Sequence, residues 1–491
     1  MEAVVQTSYG KVRGTVENGV AAWLGVPYAA PPFGPRRFGP PEPPEPWDGI
    51  RDATAYGPTA PKPGYPAPFD RLVPDPRIPG EDCLNLNIWA PAGTGGSSPL
   101  NDGAPVMVWI HGGAFRNGSG AVSIYNGARF ARDGVVCVTI NYRLGVEGFA
   151  HLPGAPANRG LRDQIAALAW VRDNIAAFGG DPERVTVFGE SAGGMSVSTL
   201  LSLDLGLFRR AIAQSGAGAV AQTEADALLV TREIAARLGV EPTAEGFAAL
   251  DPAAIIPVQS AVSAEVAAVP DPDRWGASTA SAGMALIPVL DGDLLTRRPE
   301  DAVAAGAGRD VDLLTGYTSE EFRFFLMPTG LAAALTEDLV APVAIGMGAT
   351  PEVVAAYRDR RPEETPGELL ATLITDAVFR IPANRLAEGH LPGRTWMYEF
   401  AWRSPDPGLG ACHALELGFV FDNLNADTVG MAGPNPPRAL AAAMHRAWVD
   451  FAVHGDPRWD PFDPATRRVK VFDGEANPVV TDPRGDERKL W

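Results

Sequence analysis

The rhythm of apolar and polar positions changes once along this chain. Near the N-terminus, Val4–Thr7, Lys11–Val16 and Ala21–Leu24 are short β-like runs broken by Gly-containing turns. They predict a small antiparallel sheet. Leu84–Trp89 alternates as a half-buried strand does, and Gly93–Ser98 reads as an exposed hairpin connection. From residue 105 the strands become continuously apolar, in Val106–Ile110, Val135–Ile140 and Val185–Phe188. Between the last two, Ile165, Leu168, Ala169, Val171, Ile175 and Phe178 recur at helical spacing over Leu161–Phe178. Apolar strands alternating with helices predict a mostly parallel sheet covered on both faces. The pattern continues with a helix over Ala225–Leu238 and strands at Val311–Thr315 and Trp396–Phe400. It ends in a helix over Arg438–Val453, with Leu440, Met444, Trp448 and Phe451 on one face. Residues 58–80 carry too many prolines for regular structure, and a loop of that length predicts a lid, a binding loop or disorder. No internal repeat or linker divides the chain. The expectation is one large α/β domain over residues 1–491, with loop and helical excursions.

Ligands of such sheets bind beyond the carboxyl ends of the strands, and two glycine-rich segments fall there. Gly189-Glu190-Ser191-Ala192-Gly193 follows the strand Val185–Phe188 and runs into helix-like sequence. A serine between glycines in a strand–turn–helix context is the signature of a nucleophile elbow. Alone, the pentapeptide also describes a βα turn that merely packs. The second segment, His111-Gly112-Gly113-Ala114-Phe115, follows Val106–Ile110 and offers backbone N–H groups of the kind that hold an oxyanion, with Ala192 supplying another. Their joint occurrence, in this order, argues for acyl transfer. A serine hydroxyl needs a base, and the base needs an orienting acid. Four histidines follow Ser191: His390, His413, His445 and His454. His445 falls inside a helix and suits a structural or surface role. His390 and His454 precede turns. His413 stands in a loop entering a new segment, as a base presented from a strand end would.

Charge and cysteine content narrow the class further. A net charge of −18 opposes binding to nucleic acid or to an anionic membrane. The 3 cysteines, Cys83, Cys137 and Cys412, show no metal-ligand spacing and no disulfide framework. Cys137 reads as a small buried hydrophobe. With no basic and apolar leader and no run long enough to span a membrane, a cytoplasmic enzyme is expected, without cofactor or metal. A monomer suffices for the chemistry, and the oligomeric state stays open.

The ordered blocks resemble the type-B carboxylesterases, the family that also contains the cholinesterases, and within it the bacterial para-nitrobenzyl esterases. The blocks are Gly25–Ala29 with Arg37-Phe38, Glu81–Asn87, Trp109–Phe115, Asn141–Gly145, Gly160–Gln164, Phe188–Gly194, Gln214–Gly216 and His413–Phe421. The resemblance implies an α/β-hydrolase fold, with a small N-terminal antiparallel sheet, and a serine esterase acting on small-molecule esters. It selects His413 as the base and maps the acid to Glu321, with Glu320 as the weaker neighbour. The oxyanion amides map to Gly113, Ala114 and Ala192. Phe322 stands where the family has glycine, which leaves the turn after Glu321 in question. The resemblance further implies ion pairs Arg37–Glu81 and Arg143–Asp163, a supporting hydrogen bond from Ser215, and no disulfide at Cys83. A carbamate or amide hydrolase, a lipase, and a non-catalytic homologue are the alternatives on this fold.

Overall fold

The computed structural model describes residues 2–92 and 103–491, so the connection expected at Gly93–Ser98 lies outside the described residues. A 13-stranded sheet organises the chain. Its strands are β1 (Glu2–Gln6), β2 (Lys11–Glu17), β3 (Val20–Pro27), β4 (Ile50–Asp52), β5 (Asn85–Pro91), β6 (Ala104–Ile110) and β7 (Val136–Ile140). They continue as β8 (Gly180–Glu190), β9 (Arg210–Gln214), β10 (Asp312–Thr318), β11 (Thr395–Phe400), β12 (Arg468–Phe472) and β13 (Val479–Thr481). The order is β1-β2-β3-β5-β7-β6-β8-β9-β10-β11-β12-β13, with β4 beside β2. From β1 to β7 the pairing is antiparallel, as the alternating N-terminal runs predict. From β7 to β12 it is parallel.

Period-two alternation explains why the central strands are apolar throughout. Val106, Val108 and Ile110 of β6 pack into the core on one side of the sheet, with Val136, Val138, Val185 and Val187. Met107 and Trp109 enter the core on the other, with Cys137 and Phe188. Both faces are therefore covered, and every position is under apolar selection. Helix Arg159–Asn174 extends into a 3₁₀ turn at Ile175–Phe178, and helix Arg438–His454 lies on the second face with Leu440, Met444, Trp448 and Phe451 buried. The central β9, with its short Arg-Ala-Ile-Ala-Gln run, escapes a periodicity reading because it is too short to show a period.

The proline-rich stretch is irregular but packed. Thr59 and Ile78 pair across its base, Phe69–Arg71 forms one 3₁₀ turn, and Phe69 stacks against Phe324 at 5.2 Å. Inside it the buried Lys62 pairs with Asp75 and donates to the Gly118 carbonyl at 2.9 Å. Arg143 and Asp163 form the expected buried pair, at 2.7 and 2.8 Å through the guanidinium. Arg37 does not pair with Glu81, which is exposed; its partner is Glu147, at 2.6 Å, with both side chains buried. Linear proximity of charged blocks cannot separate these two acids, whereas burial can: the interior Arg37 guanidinium is met by the acid that is itself interior. Cys83, Cys137 and Cys412 are free and buried. Among the described residues, no helix is long and apolar enough to cross a membrane.

Candidate active site

The site assembles from loops that leave the carboxyl ends of β6, β8, β10 and β11. At the end of β8, Ser191 adopts φ 56° and ψ −125° and caps the helix Ala192–Leu201. A β-carbon on Gly193 would lie 2.0 Å from the Ile110 carbonyl oxygen, and one on Gly189 would lie 2.6 Å from the Gly193 backbone. The flanking glycines are thus required by the close approach of the helix to β6. Ser191 N–H donates to Gln214 O at 3.0 Å, and Ser191 O accepts from Met195 N at 2.8 Å. The turn is held from both sides while the side chain stays half-buried.

Beyond β6, Gly113, Ala114 and Phe115 take φ of 112°, 52° and 57° in succession. Two of these are non-glycine residues in a costly region, so the surrounding contacts must over-determine the loop. They do. Arg116 and Asn117 N–H groups both donate to Gly113 O, at 3.1 and 2.9 Å, and Phe115 O accepts from Gly145 N at 2.8 Å. His111 stacks on Tyr142 at 4.5 Å, and the Tyr142 hydroxyl donates to His111 O at 2.8 Å. Burial pushes the His111 pKa down to about 3, so its ring is neutral and donates from Nδ1 to Gly112 O at 2.8 Å. The N–H groups of Gly113, Ala114 and Ala192 find no acceptor among the described residues.

Glu321 and His413 arrive from the other side. Glu321 is fully buried; its Oε1 accepts from Thr318 N at 2.8 Å and its Oε2 meets His413 Nδ1 at 2.5 Å. His413 N–H donates to Glu321 O at 3.2 Å, which ties the two loops together through the backbone as well. Phe325 and Phe379 pack on the imidazole at 5.2 and 5.0 Å. Phe379 belongs to a π-helical turn, Asp376–Arg380, whose register bulge sits beside the imidazole. Glu320, by contrast, faces away. It accepts from Ala411 N at 2.9 Å and pairs with Arg403 at 3.2 Å, a clamp on the loop that carries His413.

The residue before the serine occupies an unexpected place. Glu190 Oε1 lies 3.1 Å from His413 Nε2, in ion-pair range but off the hydrogen-bond direction. The buried Glu416 is nearby, held by Gln214 Nε2 at 3.2 Å. Burial pushes both the Glu190 and Glu416 carboxyls up, and the remaining acids add to this. Burial alone would lower the His413 pKa, but Glu190 and Glu321 outweigh it, and the imidazolium is favoured. The protonation of Glu190, Glu416 and His413 is therefore coupled. The elbow motif contains Glu190, yet nothing in its spacing signals that it meets a histidine so distant in the chain.

Other predicted positions resolve simply. His390 is buried between Thr395 Oγ1 and Gly308 O, at 2.7 and 3.0 Å. His445 is buried between Val420 O and Asp133, at 2.7 and 3.0 Å. His454 ends its helix and is largely exposed. The Ser215 hydroxyl is buried and finds no hydrogen-bond partner among the described residues, so the expected supporting hydrogen bond is not seen there. Ser215 N–H instead donates to Gly316 O at 2.9 Å, in a residue whose φ is 47°. Phe322 has φ −76°, so the turn after Glu321 does not need glycine, and its N–H donates to Thr375 Oγ1 at 3.0 Å. Among the described residues no cluster of His, Cys, Asp and Glu could hold a metal.

A doubly covered parallel sheet with an elbow serine and a loop-borne histidine at its carboxyl edge defines an α/β-hydrolase. The carboxylesterase family model matches residues 1–480, and the chain belongs to that family. It is 38% identical to the para-nitrobenzyl esterase of Bacillus subtilis (strain 168), over 99% of this chain and 98% of the relative. It is 32% identical to the phenmedipham hydrolase of Pseudarthrobacter oxydans, over 98% and 97%. Carboxylesterase EST55 of Geobacillus stearothermophilus superposes with a TM-score of 0.86 at 37% identity, covering 99% of each chain. The protein is accordingly a serine carboxylic ester hydrolase acting on small-molecule esters.

Proposed function

We propose that Ser191, His413 and Glu321 are the catalytic triad, and that the N–H groups of Gly113, Ala114 and Ala192 bind the oxyanion. Glu321 fixes the His413 tautomer by accepting from Nδ1–H. His413 Nε2 takes the Ser191 Oγ proton as Oγ bonds to the ester carbonyl carbon. The carbonyl oxygen becomes an anion between the three N–H groups, each contributing about 3 kcal/mol in the transition state. The intermediate collapses, the C–O bond to the alcohol breaks, and the alcohol leaves with the Nε2 proton. Water then repeats the sequence on the acyl-enzyme. Before the first step the proton shared among His413, Glu190 and Glu416 must be off Nε2, which gives the rate an acidic limb.

The observation that carries this reading is the conjunction of three unpaired N–H groups in a strained loop pair with an elbow serine. The 2.5 Å contact of Glu321 with His413 supports the choice of Glu321 over Glu320. Continuity of one sheet from β1 to β13 supports a single domain over residues 1–491. Three free buried thiols suit a reducing cytoplasm. The test is Ser191→Ala together with an organophosphonate probe. The variant should lose turnover while staying folded, and the probe should label only the parent protein, at Ser191. Esterase activity retained by the variant would overturn the assignment.

A further inference from the structure

A guanidinium without an anion is uncommon away from the surface, because burial removes its hydration and nothing replaces it. Several arginines here lack a side-chain partner among the described residues. Arg71, Arg132, Arg209, Arg232 and Arg297 are all exposed, where water solvates them. Arg116 differs: it is half-buried, and no carboxylate, carbonyl or aromatic ring pairs with its side chain. Its position gives that isolation meaning. Arg116 comes two residues after Ala114, and its own N–H closes the turn onto Gly113 O at 3.1 Å. The charge is therefore carried by the same rigid loop that presents the oxyanion N–H groups.

Electrostatics around it agree. Desolvation lowers the Arg116 pKa, and its resolved charge neighbour is the Tyr65 phenol. Burial raises the Tyr65 pKa; Asp75 and Glu190 raise it further, and Arg116 opposes them. The Tyr65 phenol thus feels both the Glu190 carboxyl and the Arg116 guanidinium. Glu190 and Glu321 face His413, Glu416 is held by Gln214, and none of the three pairs with Arg116. An ester carrying a carboxylate needs a group that receives its anion. A rigid planar guanidinium is well suited to that task, since it grips a carboxylate with two parallel N–H donors.

We propose that Arg116 is a specificity-determining residue that binds an anionic substituent of the substrate, so that the enzyme favours esters bearing a free carboxylate. The inference rests on the catalytic reading above, because the ester carbonyl must sit at Ser191 for Arg116 to meet the substituent. An uncompensated cation in the unliganded protein then has a reason: its counter-charge arrives with the substrate.

The experiment compares kcat/KM for two matched pairs of esters. 4-Acetoxybenzoate against 4-acetoxybenzamide places the charge on the leaving group. Monoethyl adipate against the corresponding ethyl adipamate places it on the acyl chain. In the parent enzyme the charged member should be favoured relative to its amide partner in at least one pair. In Arg116→Gln that charged-to-neutral ratio should fall about tenfold, and Arg116→Lys, which keeps the charge without the planar fork, should recover only part of it. A salt series should erode the parent ratio by screening and leave that of Arg116→Gln flat. A ratio changed less than about threefold in both pairs overturns the proposal. Thermal unfolding supplies an independent readout: a binding cation predicts that Arg116→Gln is no less stable than the parent, whereas a clear drop in Tm assigns Arg116 a structural role and also overturns it. Turnover of these esters retained by Ser191→Ala would indict the triad instead, and so remains distinguishable.

Discussion

The two sides of this site are built from different materials. Beyond β6 and β8, the working groups are backbone N–H groups of Gly113, Ala114 and Ala192, aimed by positive φ angles and close glycine packing. Beyond β10 and β11 they are ionisable side chains, Glu321 and His413, with Glu190 reaching across from β8. The first side carries no titratable group in its working parts and has no room for added atoms. The second has its protonation set by mutual burial of acids around one imidazole. The comparison therefore predicts that shape changes damage one side without moving the pH profile, while charge changes on the other move it.

Among variants that leave the nucleophile in place, the largest effect should come from Glu321→Gln. The amide keeps the volume but cannot enforce the Nδ1–H tautomer, so kcat should fall about 10³–10⁴-fold, as loss of the orienting acid does in serine hydrolases. Stopped assays at saturating ester would measure it. A loss under tenfold would move the acid role to another carboxylate, Glu320 or Glu190. Next in size is Gly113→Ala. A β-carbon there would lie 2.3 Å from Asn117 O, at a φ of 112°, so the loop must shift. Misaligned donors should cost about 10²–10³-fold in kcat with the acidic limb of the profile in place. A displaced limb with an intact plateau would contradict the division of labour.

The same division decides what can be read from sequence. Backbone geometry leaves glycines behind, so the elbow and the loop after β6 are legible as motifs, and their order after apolar strands locates them. The parallel sheet is legible for the same reason, since two-sided burial makes β6, most of β7 and the Val185–Phe188 part of β8 apolar. Side-chain encounters leave no such mark. Residue types alone leave several histidines open, and only family resemblance selects His413 and separates Glu321 from Glu320. The approach of Glu190 to His413 joins residues distant in the chain, and pairing of Arg37 with Glu147 rather than Glu81 depends on which acid folds inward. Neither is written in local spacing.

Glu190→Gln probes the charged side directly, with a smaller effect. Glu190 and Glu321 hold the His413 pKa above the ordinary histidine range. The base must be neutral, so activity rises as pH passes upward through that pKa. Removing one negative charge lowers the pKa, and the acidic limb of kcat/KM should move to lower pH by about one unit. The plateau should change less than the loss seen with Gly113→Ala. A limb that stays in place would mean that Glu321 alone sets the imidazole.

The smallest effect should come from Phe322→Gly, which restores the residue type the family carries after the acid. In this chain Phe322 has φ −76°, its N–H is held by Thr375, and its ring packs on Phe325 at 5.0 Å. Glycine here gains nothing from conformational freedom, because the turn already lies in the right-handed region. It loses the packing of a half-buried ring and adds backbone entropy to the unfolded chain, a stability cost of about 1–3 kcal/mol. Catalysis should hold within about threefold, since the Glu321 carboxylate is positioned by Thr318 N–H and His413 rather than by the following ring. Denaturant unfolding and steady-state rates on the same preparation separate the two quantities. If kcat falls along with stability, the Phe322–Phe325 contact is transmitting order to His413, on which Phe325 packs at 5.2 Å, and the aromatic wall belongs to the charged side of the site.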